Sequence, residues 1–223
     1  MTLKIVGQAR PNTFSFETSA LIKPSGFREY DARWWFGHPG SDKEPELNLL
    51  GAQALGMGLG TLIRRMGVGP GIVTGHDFRS YSMSIKLALV SGLMAAGAEV
   101  KDIGLALSPT AYFAQFALDV PSVAMVTASH NENGWTGVKM GAQRPLTFGP
   151  DEMAALKQLV LNGDFDLIGG GSYEFVAGFR ERYIEDLTAG KRLGRSLKVV
   201  VACGNGTAGA FAPQVLEKIE CEI

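Results

Sequence analysis

The stretch GIVTGHDFRSYSMSIKLALVSGLMAAGAEVKDI, residues 71–103, decides the fold class. It opens with a short apolar run bounded by glycines, which is typical of a buried strand. Ile85, Leu89 and Leu93 then recur at intervals of four residues, which predicts one face of a helix. Residues 99–103 resume the strand pattern. The stretch therefore predicts a strand, a helix and a second strand.

The same alternation continues on both sides of this stretch. Helical spacing of Leu and Ala appears at residues 46–66, a short helix is predicted for 110–118, and a core strand for 122–126. Residues 150–162 predict a further helix, with a proline in its first turn and a glycine after its end. Strands that alternate with helices of this length predict an α/β fold, a sheet with helices on both faces.

A glycine-rich segment, Gly163–Ser172, predicts a domain boundary. We divide the chain into residues 1–172, a complete α/β domain, and residues 173–223, the incomplete start of a second, similar domain. In the second part a strand is predicted for 197–202 and a helix for 208–219. One strand and one helix bury little core, so this part either packs against another chain or belongs to a longer protein, of which we expect the chain to be the N-terminal fragment.

The composition argues against two classes of binding partner, nucleic acids and membranes. Of 223 residues, 46% are apolar and 19% charged, and the net charge of −1 predicts no nucleic-acid partner. The uncharged apolar stretch at residues 87–98 is shorter than the roughly 20 residues of a membrane span, so no membrane partner is predicted. Cys203 and Cys221 are the only cysteines, which favours a reducing compartment and a cytoplasmic location.

A polar loop, Thr127-Ala-Ser-His-Asn-Glu-Asn-Gly-Trp-Thr-Gly-Val-Lys139, directly follows the strand at 122–126. Ligands of α/β proteins bind at the carboxyl ends of strands. Ser129 is therefore a candidate nucleophile or phosphoryl carrier, with His130, Asn131 and Lys139 as nearby polar groups. The alternative is that Ser, Asn and Gly only form turns here.

Two other clusters combine arginine with acidic residues. Phe27-Arg-Glu-Tyr-Asp-Ala-Arg33 predicts either a phosphate grip or an ion-paired surface turn. Gly75-His-Asp-Phe-Arg79 follows the first strand of the opening stretch, and there we expect Asp77 and Arg79 to form an ion pair that braces the loop.

Four motifs occur in order along the chain: Arg28–Arg33, Gly75–Arg79, Thr127–Asn131 with Lys139 ten residues after the serine, and Asn205-Gly206. From about residue 25 to 223 they resemble the α-D-phosphohexomutases, the family of phosphomannomutase and phosphoglucomutase. The resemblance implies interconversion of hexose 1-phosphate and hexose 6-phosphate through a phosphoserine and a bisphosphorylated sugar. The sugar preference is left open.

By this resemblance Ser129 carries the phosphoryl group and Lys139 is an acid/base group. Arg33 is a cation near the transferred group, and His130 takes part nearby. Arg33, Asn131 and Lys139 are the implied substrate-binding residues. The implied cofactors are Mg²⁺ and a hexose 1,6-bisphosphate, and the implied partners are mannose or glucose 1- and 6-phosphates.

The sequence departs from the family pattern at the metal site. Mg²⁺ is expected to contact the phosphate on Ser129, but the family's Asp-Gly-Asp-x-Asp-Arg loop does not occur in this sequence. Asp164-Phe-Asp166 is the segment most similar to that loop, and we predict a solvated turn there rather than a metal site. Trp34-Trp35-Phe36 and Glu132 also depart from the usual residues. We therefore expect this chain to be inactive by itself.

Other function classes stay open. Gly204-Asn-Gly-Thr-Ala-Gly209 matches the G-x-G-x-x-G pattern of dinucleotide-binding oxidoreductases, although one such match is a weak indication. A serine hydrolase is less well supported because the G-x-S-x-G motif is absent from the sequence. A domain that folds without catalysing a reaction is the remaining alternative.

Overall fold

A computed structural model describes residues 3–223. The strands are β1 Ile5–Val6, β2 Ala20–Leu21, β3 Ala32–Trp35, β4 Gly71–His76, β5 Glu99–Leu105, β6 Ser122–Val126, β7 Trp135–Gly141 and β8 Ser172–Phe175. The α-helices are α1 Phe14–Thr18, α2 Leu49–Arg65, α3 Ser82–Ala95, α4 Ser108–Ala117, α5 Pro150–Asn162, α6 Phe179–Thr188 and α7 Ala212–Lys218. The 3₁₀ turns are Pro24–Gly26 and Thr207–Ala210.

Six strands form one mixed sheet in the order β3-β7-β6-β4-β5-β8. Strands β6, β4, β5 and β8 are parallel, and β7 is antiparallel to both β6 and β3. Helices α2, α3 and α5 cover one face through residues such as Leu55, Leu89 and Leu156, and α4 and α6 cover the other through Ala111 and Phe179. The predicted α/β fold with helices on both faces is confirmed.

Helix α2 packs closely on α3, and two glycines permit this. A Cβ at Gly56 would lie 2.0 Å from the carbonyl oxygen of Leu89, and one at Gly92 would lie 2.0 Å from that of Gln53. Any larger residue would force the helices apart in a close-packed interior. The helix begins at Leu49 rather than at the predicted residue 46, because the Asn48 side chain caps it by accepting the Gly51 N–H at 2.8 Å.

The order of the strands reverses beside β4. The chain passes from β4 to β5 through α3 on one face, and from β5 to β6 on the far side of β4 through α4 on the opposite face. A crevice for ligands forms outside the carboxyl ends of strands at such a point. The Asp77 N–H donates to the Val126 carbonyl at 3.0 Å and places the loops after β4 and β6 side by side.

The C-terminal part differs from the sequence prediction. Residues 197–202 do not form a strand, because their only ladder contact is an isolated bridge between Lys198 and Glu222. A strand needs hydrogen-bonded neighbours along its length. The predicted helix at 208–219 is instead a 3₁₀ turn followed by the short helix α7.

The predicted boundary after residue 172 falls inside β8. This strand is hydrogen-bonded to β5, with Ser172 opposite Glu99 and Phe175 opposite Asp102, so the large sheet continues to Phe175. The division of the chain into two domains stays a prediction. Within residues 3–223, no helix combines the length and the apolar character that a bilayer crossing requires.

Candidate active site

A cavity of about 740 Å³ opens where the strand order reverses. Three segments line it: Asp77–Ser80 after β4, the serine loop after β6 (residues 127–134), and the turn Asn205–Thr207. This volume lies within the range of roughly 300–1,000 Å³ that is typical of small-molecule sites. The cavity lies at the end of the sheet where the sequence predicted a ligand.

Ser129 is exposed at this cavity in an unusual backbone conformation. Its φ angle is 57°, in the left-handed region that non-glycine residues rarely adopt. Its N–H donates to the Thr127 hydroxyl at 3.1 Å, and its Oγ lies 3.3 Å from Nδ1 of His130. The structure thus places the hydroxyl beside a group that is able to accept its proton, as expected of His130.

An ion pair after β4 supports the serine loop. Asp77 is buried and accepts the Ser82 hydroxyl at 2.6 Å and the Arg79 backbone N–H at 3.1 Å. The Arg79 guanidinium pairs with the other oxygen of Asp77 and donates to the carbonyls of Asn131 and, at 3.5 Å, Ser129. The predicted ion pair is confirmed. It also holds the backbone of the loop, which the sequence did not indicate.

Arg33 contacts the serine loop from β3. Its guanidinium donates to Asp31 through Nε at 2.9 Å and Nη2 at 2.7 Å, and to Oδ1 of Asn131 through Nη1 at 2.7 Å. The structure therefore brings Arg33 and Asn131 together. It also favours an ion-paired turn over a phosphate-binding site for the Arg28–Arg33 cluster, because the guanidinium of Arg33 is already hydrogen-bonded to Asp31 and Asn131.

Lys139 lies on β7 and does not line the cavity. Its neighbours Val138 and Met140 face the core under α2, α3 and α5, so Lys139 faces the opposite side of the sheet. Arg33 faces that side too, because it pairs in register with Gly137. The two cations share one sheet face, while Ser129 lies beyond the end of β6. The roles assigned to Lys139 and Arg33 stay predictions.

Two tyrosines near the site were not singled out from the sequence. The Tyr81 hydroxyl accepts the Gly134 N–H at 2.8 Å and donates to the Trp135 carbonyl at 2.9 Å, which fixes the far end of the serine loop. Burial raises the pKa of Tyr81. Burial also raises the pKa of Tyr112 on α4, and the negative charge of Asp31 adds to the rise. Nothing in their sequence spacing marks either tyrosine.

The turn Asp164-Phe-Asp166, predicted to be solvated, is exposed at Asp164 and is also ion-paired. Arg65 donates twice to each carboxylate, at 2.9 and 3.1 Å to Asp164 and at 2.9 and 3.0 Å to Asp166. These hydrogen bonds lower the pKa of both aspartates. The carboxylate oxygens are therefore bound to a guanidinium, on a turn where the Asp164 side chain is 60% exposed. Within residues 3–223, no group of three His, Cys, Asp or Glu side chains is close enough to hold a metal ion.

The glycine pattern Gly204–Gly209 lacks the context of a dinucleotide site. In the described part of the chain no strand leads into it, and its second half lies in the 3₁₀ turn Thr207–Ala210 instead of opening a long helix. Its middle residues line the serine cavity. The Thr207 hydroxyl accepts the Phe78 N–H at 3.1 Å, which joins this turn to the loop after β4.

Comparisons with known proteins agree with these observations. Residues 25–167 match the family model described as phosphoglucomutase/phosphomannomutase, alpha/beta/alpha domain I. A phosphomannomutase/phosphoglucomutase of Pseudomonas putida is 32% identical over 209 residues, 92% of this chain and 42% of that protein. A probable phosphoglucosamine mutase of Thermococcus gammatolerans is 33% identical over 177 residues, 78% of this chain and 38% of that protein.

A solved structure shows the same arrangement. The phosphoglucomutase/phosphomannomutase family protein of Burkholderia thailandensis superposes with a TM-score of 0.77 at 31% identity, over 91% of this chain and 43% of that one. The present chain thus spans less than half the length of the relatives that it matches.

Proposed function

Because this chain belongs to the phosphoglucomutase/phosphomannomutase family, we propose that Ser129 carries a phosphoryl group and exchanges it with hexose phosphates. One observation carries the proposal: the Ser129 hydroxyl is exposed at a cavity outside the carboxyl ends of β4 and β6, with Nδ1 of His130 at 3.3 Å. The reaction would interconvert hexose 1-phosphate and hexose 6-phosphate.

Transfer from the phosphoserine breaks the bond between phosphorus and Ser129 Oγ and forms one between phosphorus and a sugar oxygen. The hydroxyl proton of the sugar passes to a base, for which we propose Lys139, and Oγ takes up a proton. The return transfer breaks a bond between phosphorus and another sugar oxygen and forms the bond between phosphorus and Oγ again. The leaving sugar oxygen takes up a proton, and we propose that His130, the neighbour of the hydroxyl, accepts the proton of Oγ. Arg33 and Asn131 are proposed to help bind the substrate.

Phosphoryl transfer spreads negative charge over the equatorial oxygens, so cations stabilise its transition state. We propose Mg²⁺ and a hexose 1,6-bisphosphate as the cofactors, the metal supplying positive charge at the phosphate. The residues described here do not fit a metal site without that phosphate, since the Asp164 and Asp166 carboxylates are bound to Arg65. We also propose that the 223-residue chain by itself does not turn over, and that it is cytoplasmic.

The test uses the full chain and α-D-glucose 1,6-bisphosphate, with Mg²⁺ or with a chelator. Mass spectrometry of proteolytic peptides locates any phosphate. We expect slow transfer of one phosphate to Ser129 without turnover, its loss in Ser129→Ala, and its retention in Ser80→Ala, a matched variant because Ser80 lines the same cavity. Unphosphorylated chain under both conditions, or phosphate on Ser80, would contradict the proposal. A nicotinamide cofactor bound to the chain would favour the oxidoreductase alternative.

A further inference from the structure

The turn Asn205–Thr207 has no role in the chemistry described so far, although it forms one wall of the serine cavity. It belongs to the C-terminal part of the chain, far in sequence from the loops after β4 and β6. The hydrogen bond from the Phe78 N–H to the Thr207 hydroxyl, at 3.1 Å, holds the turn against the loop after β4. Ligand in the cavity would therefore lie between this turn and the serine loop.

The two arginines nearest the cavity are committed to protein groups. Arg79 is ion-paired with buried Asp77 and bound to a loop carbonyl, and Arg33 is bound to Asp31 and to the cavity-lining Asn131. Glu132 also lines the cavity and is an exposed carboxylate, which does not attract phosphate oxygens. Free hydrogen-bonding capacity on the walls thus comes mainly from neutral side chains. Neutral donors and acceptors suit a ligand that combines hydroxyl groups with phosphate oxygens.

Two such groups lie on the turn. Asn205 is exposed, and within residues 3–223 its carboxamide has no hydrogen-bond partner, so two N–H donors and one carbonyl acceptor face solvent. The Thr207 hydroxyl accepts from Phe78 and keeps its own proton to donate. Both side chains can therefore bind a polar ligand without breaking a contact.

We propose that Asn205 and Thr207 bind the phosphorylated hexose that exchanges its phosphoryl group with Ser129, Asn205 contacting it directly through its carboxamide. The inference rests on the proposed function of Ser129. It gives the glycine-rich turn a different ligand from the dinucleotide that its sequence pattern suggests.

Titration calorimetry of the full chain with α-D-glucose 1,6-bisphosphate tests the inference. Loss of a ligand hydrogen bond in Asn205→Ala is expected to raise Kd about tenfold. Asn205→Asp should raise it further, because a carboxylate repels the phosphates. Thr207→Val should weaken binding and Thr207→Ser should restore it. Asn162→Ala, at the end of α5 and outside the cavity, is the matched control and should bind as the unaltered chain does.

NMR of the Asn205 side chain distinguishes direct contact with the ligand from an effect of the substitution on folding. The Asn205 carboxamide resonances should shift on titration, while the melting temperature of Asn205→Ala stays that of the control. Equal Kd values for Asn205→Ala and Asn162→Ala overturn the inference alone and leave phosphorylation of Ser129 as the separate measure of the proposed function. An unaltered chain that neither binds the bisphosphate nor becomes phosphorylated overturns both.

Discussion

The guanidinium of Arg33 donates to Oδ1 of Asn131 at 2.7 Å, and this hydrogen bond joins the edge strand β3 to the serine loop. The same guanidinium is ion-paired with Asp31, and both side chains are about one-seventh exposed, at 13% and 14%. Removing one partner of a pair this well shielded from water costs more than at an exposed pair, because the remaining charge is left unpaired. The loop that carries Ser129 is therefore positioned by a strand 98 residues earlier in the chain.

Arg33→Lys tests this link. Lysine keeps the charge but lacks the planar fork that serves Asp31 and Asn131 at once. We expect phosphorylation of Ser129 to slow about tenfold, and Asn131→Ala to slow it similarly. The double variant should be no slower than either single one, because both remove one interaction. Arg28→Lys, in the same motif, is the control. Fully additive effects in the double variant would argue against the link.

Gly137→Ala tests the same contact from β7. A Cβ at Gly137 would lie 2.3 Å from the Ala32 carbonyl oxygen and 3.0 Å from the Arg33 side chain. Because backbone must move to admit it, we expect the free energy of unfolding to fall by about 1–3 kcal/mol, measured by urea unfolding. Gly194→Ala is the control, since a Cβ there meets open space. Equal stability of the two variants would show that β3 and β7 adjust freely.

Most of the fold follows from periodicity. The helix at 150–162 and the strand at 122–126 were predicted at the bounds that the structure shows, because a proline, a glycine cap and an apolar run mark them locally. Strand β3 was missed. Its sequence, Ala-Arg-Trp-Trp, has no clear alternation, and it is a strand only because β7 pairs with it. The strand predicted at 197–202 does not form, because no neighbouring strand pairs with it along its length.

The site could be predicted in part. The position of Ser129 follows from a polar loop after a buried strand, and the proximity of His130 from its adjacency in sequence. The contacts of Arg79 with the Asn131 carbonyl and of Tyr81 with Gly134 span about 50 residues. Such contacts depend on which strands lie side by side, and a single sequence does not reveal that order.

Alkaline pH should destabilise the chain through Tyr173. Its hydroxyl donates at 2.9 Å to Asp102, which is buried and paired with Lys86. Partial desolvation of the hydroxyl, followed by this hydrogen bond, raises the pKa of Tyr173 from 10.0 to about 12, although the residue as a whole is 43% exposed. Because the folded state has the higher pKa, the stabilisation is complete below about pH 10 and is lost as the pH rises towards about 12.

Urea unfolding across this pH range checks the prediction. Tyr173→Phe should lose less stability than the unaltered chain between the two pKa values, and absorption of tyrosinate should show one less late-titrating group. Tyr30→Phe is the control, because Tyr30 is 63% exposed. Parallel stability curves for the unaltered chain and Tyr173→Phe would contradict the assigned pKa.

Ser129→Gly should separate stability from function. A left-handed conformation costs a non-glycine residue about 1–2 kcal/mol, and glycine avoids this cost. Glycine also makes the unfolded chain more flexible, which offsets about 0.5–1 kcal/mol of the stability gained. We therefore expect Ser129→Gly to raise the free energy of unfolding by about 0.5–1 kcal/mol relative to Ser129→Ala, while neither variant accepts phosphate. Gln143→Gly, at φ 56°, should gain similar stability and keep phosphorylation of Ser129. If Ser129→Gly proved less stable than Ser129→Ala, the backbone at Ser129 would not be strained. The hydrogen bonds from Arg79 to the carbonyls of Ser129 and Asn131 would then not be holding the loop in an unfavourable conformation.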